Sequence, residues 1–83
     1  MSYGYSQSLV YANKKANVKS PGVALGRVCI LEGVSVSHVA DSFGVSRMAV
    51  YNWFKGDSVP HPDTHAAIEK FMRSIKRRHN KQK

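Results

Sequence analysis

Within residues 36–55 the chain has room for two short helices and only three residues, Gly44-Val45-Ser46, in which to turn from one to the other. Gly44 can adopt the positive φ that a tight reversal demands, and Ser46 stands where the following helix needs its N-cap. Ala40 lies four residues before Gly44 and Val50 six after it, so in a sharp turn the two face each other where the helices cross. The first must be small, and a β-branched side chain suits the second. Val45 plugs the gap, while Val39, Phe43 and Trp53 recur at helical spacing to complete a shared core. These seven positions agree with one another, and no other stretch of the sequence is constrained as tightly.

The flanking segments read as further helices. Ser20-Pro21 is a start signal, since Ser can cap and Pro at the first helical position lacks only an N–H that has no partner there anyway. A helix over residues 21–32 follows, with Ala24, Leu25, Val28, Cys29 and Leu31 forming its apolar face, Gly22 and Gly26 weakening it slightly, and Gly33 ending it. Ser35 caps a helix over 36–43, and Gly56 closes the one over 47–55. Residues 57–62 are rich in turn formers, and Pro62 with Asp63 suits the first turn of a last helix whose stripe is Ile68, Phe71, Met72 and Ile75. Residues 1–19 read as a polar arm, flexible or with a short helix over 8–16, and 79–83 as a basic tail. The expected fold is all-α: a small bundle of about four helices over residues 20–78 that contains the helix–turn–helix.

Composition narrows the function. In 83 residues, only 19 are Val, Ile, Leu or Phe, so the chain is one small domain with an economical core. Thirteen Lys and Arg against five Asp and Glu leave +8, which predicts an anionic partner. Cys29 is the only cysteine, so no intrachain disulfide forms and a cytoplasmic setting is the default. The first residues lack a basic start and an apolar run of leader length, and no stretch approaches 18 apolar residues, which argues against secretion and membrane spanning.

Over residues 36–55 the sequence resembles the helix-turn-helix of the Cro/repressor (Xre-like) family, and with the preceding helix and the Trp53-Phe54-Lys55-Gly56 exit the likeness covers about half the chain. The resemblance implies a lambda-repressor-like bundle, bacterial or phage in type, whose second motif helix enters the major groove of DNA. It assigns base-edge roles to Arg47, Met48, Tyr51 and Asn52, and places Ser46 and Lys55 nearer the phosphates. The chemistry of these residues suits the roles: Arg47 can fork onto guanine O6 and N7, Asn52 can pair with adenine, and Met48 or Tyr51 can touch a thymine methyl. Where the family often carries Gln at the start of the first motif helix this chain has Val36, so phosphate contact there falls to Ser35, Ser37, backbone N–H groups or His38. Dimerisation on an inverted repeat is expected, because one such unit reads only a few base pairs.

The charged ends have two readings each. Lys70, Arg73, Lys76, Arg77, Arg78, Lys81 and Lys83 follow one another without an acid, and either grip phosphates, with Arg73, Lys76 and Arg77 as the foremost candidates, or merely solubilise the chain. Lys14, Lys15 and Lys19 either fold the arm along DNA or leave it disordered. Phe54 packs on the last helix or anchors a second subunit, whereas Trp53 belongs to the core. Two rival functions stay open: an accessory DNA-binding subunit of a packaging, excision or recombination machine, and a basic inhibitor that binds another protein. Catalysis and metals find little support. His61 and His65 flank Pro62, one cysteine cannot supply a structural zinc set, and Ser37, His38 and Asp41 diverge on a helix rather than form a triad. No cofactor is implied.

Overall fold

Ser6 opens the first helix: its Oγ accepts the Leu9 N–H at 3.1 Å, and α1 runs over Gln7–Lys15. The structure, a computed structural model, describes residues 6–81, with side chains as far as Ile75. The last helix continues through residues 79–81, where the sequence predicts a basic tail, while residues 1–5 and 82–83 and the side chains from Lys76 onward lie outside the described residues. Four more helices follow: α2 (Pro21–Glu32), α3 (Val36–Phe43), α4 (Arg47–Lys55) and α5 (Pro62–Lys81). Among the described residues there is no strand, so the molecule is a small all-α bundle, and no helix is long and apolar enough to cross a membrane.

Among the described residues the bundle has five helices rather than about four, because the short N-terminal helix is part of the fold. Leu9 and Asn13 are buried, and α1 packs on both α2 and α4. α2 and α4 are the central pair; α3 lies against α4, and α5 against α2. Leu25, Cys29, Val39, Ala40, Val50, Trp53, Phe54 and Ile68 form the core, with Phe43 stacked edge-on to Trp53 at 6.0 Å and tilted against Phe71 at 5.3 Å.

Local chemistry explains where these helices stop and start. Gly44 has φ +66°, and the next N–H, that of Val45, reaches back to Ala40 O at 3.0 Å, closing α3 in three residues. The same closure ends α2 at Gly33 and α4 at Gly56. Ser35 and Ser46 cap α3 and α4 through their side chains, accepting from the His38 and Ala49 N–H groups, each at 3.1 Å. Ala40 and Val50 are buried, and Val45 packs against the core beside them.

Four expectations change in the structure. Ser20 precedes α2, but its side chain makes no cap bond and its Oγ is buried without a partner; Pro21 starts the helix through its fixed φ. Leu31 is 76% exposed. It stands six residues from Leu25, roughly 120° around the helix, and so misses the buried face of α2. Phe54 is fully buried and packs close to α2 at Gly26, which rules out its being an exposed anchor for a second subunit. Gly22 and Gly26 are not idle weaknesses: each marks a place where α4 comes too close to α2 for any side chain.

Candidate nucleic-acid interface

At 100° per residue, positions 47, 51, 55, 48 and 52 of α4 fall within an arc of roughly 140°, and positions 50, 53 and 54 lie outside it toward the core. Burial follows that division. Val50, Trp53 and Phe54 are buried, Arg47 is exposed and Met48 is 65% exposed, while Tyr51, Asn52 and Lys55 are half-buried. The sequence-predicted base-reading set of Arg47, Met48, Tyr51 and Asn52 therefore shares one face of one helix. Tyr51 packs against the core with part of its ring, which limits the positions its outer edge can take. The Asn52 carbonyl accepts the Asp57 N–H at 2.9 Å and the Ser58 N–H at 3.3 Å, fixing the exit of the helix.

The predicted phosphate contacts do not all gather around this face. Ser46 stands at the N-terminus of α4, and its hydroxyl, though it accepts the Ala49 N–H, keeps its own proton for donation. Lys55 pairs with Asp57 at 3.3 Å on the surface, an interaction worth under about 1 kcal/mol and easily exchanged for another anion. Ser35 likewise caps α3 with its hydroxyl, and Ser37 is exposed on that helix. His38 sits on the α5 side of α3: its ring lies 6.0 Å from that of Phe71, over an open groove of about 380 Å³ that Ser74 and Ile75 also line. Arg73 is exposed and pairs with Glu69 at 3.8 Å, one turn away on α5. Among the described residues no Cα of α5 comes within 8 Å of one in α4, so Arg73 belongs to a different surface.

Sequence reasoning missed the residues that hold the interface helix in place. Asn13, which looks like any polar residue of an arm, is 1% exposed, and its amide donates to Phe54 O at 2.8 Å and Val23 O at 3.2 Å. Arg27 donates to the carbonyls of Asn13 at 2.8 Å and Lys14 at 3.2 Å, closing the C-terminal end of α1. No local signal announces either, because both act across helices distant in sequence.

The nucleophiles and imidazoles are committed to structure. His61 Nδ1 accepts the Asp63 N–H at 3.2 Å at the start of α5, and His65 Nε2 donates to Pro60 O at 3.1 Å. Burial pushes the Cys29 thiol up to about 12, so at neutral pH it holds its proton. Thiol labelling in native buffer is therefore expected to be slow and to accelerate with denaturant in step with the unfolded fraction; rapid native labelling would show that the α2 core opens locally.

Comparison of the chain with protein families, with curated proteins and with solved structures finds no match.

Proposed function

We propose that this protein is a sequence-specific double-stranded DNA-binding regulator of transcription that reads the major groove with α4. The observation that carries this reading is the outward arc of exposed Arg47 and Met48 with half-buried Tyr51, Asn52 and Lys55 on a short, doubly capped helix in a chain of net charge +8. Arg47 and Asn52 offer the two side chains best matched to guanine and adenine edges, Met48 offers an apolar contact for a thymine methyl, and Ser46 and Lys55 flank them for phosphate. Ser35 and Ser37 at the start of α3 extend the phosphate contacts. The protein acts as a homodimer on an inverted repeat, within the nucleoid of a bacterial cell, and works by binding rather than by catalysis.

Selection of the purified protein on a random duplex pool, sequenced after washing at physiological salt, tests this. An inverted repeat with guanine and adenine at fixed spacing is expected. Arg47→Ala should relax the preference at a single base position and cost about 1–3 kcal/mol there. A uniform loss across all duplexes would remove the reading role from Arg47. Binding without enrichment would favour an accessory subunit that grips DNA without reading it.

A further inference from the structure

The outward side of α1 carries charge that the reading of α4 leaves unused. Asn13 bonds to Phe54 O, and a Cβ on Gly56 would lie 3.3 Å from the Cβ of Ala16, so the last turn of α1 abuts the last turn of α4. Leu9 and Asn13 face inward. Positions 11, 14 and 15 lie on the other side within roughly 100°, and Tyr11, Lys14 and Lys15 are all exposed. The Lys15 ammonium lies 3.2 Å from Tyr11 Oη and 5.0 Å from the centre of its ring, which holds it on this outer side. The carbonyl end of a helix normally disfavours an anion, but here Arg27 bonds to the carbonyls of Asn13 and Lys14 and blunts that partial charge.

We propose that the outward face of α1 is a preformed grip for the phosphate backbone of duplex DNA, engaging the strand beside the groove that α4 occupies. Lys14 and Lys15 supply the cations, and Tyr11 O–H supplies a directional donor. The proposal rests on α4 being the groove helix, since the last turn of α1 abuts the last turn of α4. A docked helix has its lysines in place before DNA arrives, so no ordering cost is charged against binding, as it would be for an arm that folds on contact.

The test measures affinity for a short random-sequence duplex across a salt series. It compares the parent protein with Lys14→Gln/Lys15→Gln and with Lys70→Gln/Arg73→Gln, a change of equal charge on α5. All four positions are exposed, so thermal midpoints should stay the same. Each phosphate contact adds about 0.9 to the slope of log affinity against log salt, so the α1 pair is expected to make the slope shallower by about 1.8 and the α5 pair by much less. The base preference found by pool selection should not change. An unchanged slope for the α1 pair, or equal losses in both variants, overturns the proposal. A parent protein that binds duplexes without sequence preference sinks the reading of α4, and the slopes then judge α1 alone. A parent that binds no duplex sinks both.

Discussion

Gly26→Ala is expected to lower the thermal midpoint by roughly 10–20 °C, against the direction that helix propensity predicts. In an exposed helix interior the exchange stabilises by about 0.5–1 kcal/mol. Here a Cβ at position 26 would lie 2.6 Å from Phe54 Cγ, 2.9 Å from Phe54 Cβ and 2.8 Å from Asn13 Nδ2. Phe54 is fully buried and Asn13 is held by two hydrogen bonds, so neither can give way without moving a helix. Overpacking typically costs about 1–3 kcal/mol and more where the neighbours cannot yield; a net loss of about 2.5 kcal/mol, at about 4–8 °C per kcal/mol in a domain of this size, gives that fall. Circular dichroism melting decides it. A midpoint equal to or above that of the parent would mean that α2 and α4 do not approach as described. Trimming Phe54 to Leu in the Gly26→Ala background should cost less than in the parent, because the trim relieves the clash that the extra methyl created.

The second large effect concerns Asn13. Both of its partners are carbonyl oxygens, so the amide NH2 group is what the site requires. Asn13→Asp keeps the shape and replaces that donor with a carboxylate oxygen facing the Phe54 and Val23 carbonyls in a buried site, a loss of about 3–5 kcal/mol at neutral pH. The introduced carboxyl would have its pKa raised in the folded state by burial and by those oxygens. The protonated form can donate one of the lost bonds, so a proton binds the folded state more tightly than the unfolded one. Stability relative to Asn13→Ala should rise as pH falls through the folded pKa, and be lost again as pH rises through it. Parallel behaviour of the two variants across pH would show that Asn13 is not the bridge between α1, α2 and α4.

These two positions also mark where a reading of the sequence stops. Pro21, Gly33, Ser35, Gly44, Ser46, Gly56 and Pro62 place the boundaries of α2 to α5, because a cap or a left-handed glycine acts within a turn of its own position. The arc of Arg47, Met48, Tyr51 and Asn52 was legible for the same reason: helical periodicity puts them together whatever α4 packs against. That the His38 ring lies beside Phe71 was not legible, since it depends on how α5 crosses the bundle.

The sequence by itself determined three helix spans and the start of the fourth, the tight turn between α3 and α4, most of the apolar faces and the grouping of Arg47, Met48, Tyr51 and Asn52 on one side of a helix, all consequences of interactions within a few residues. Only the tertiary structure decided that the N-terminal segment is a core helix, that Asn13 is its bolt, that Phe54 is buried against α2 at Gly26, and that Leu31 stays in solvent. Each of those depends on which helices meet and how closely. Such contacts join residues as far apart as 13 and 54, and their geometry is written in no local pattern.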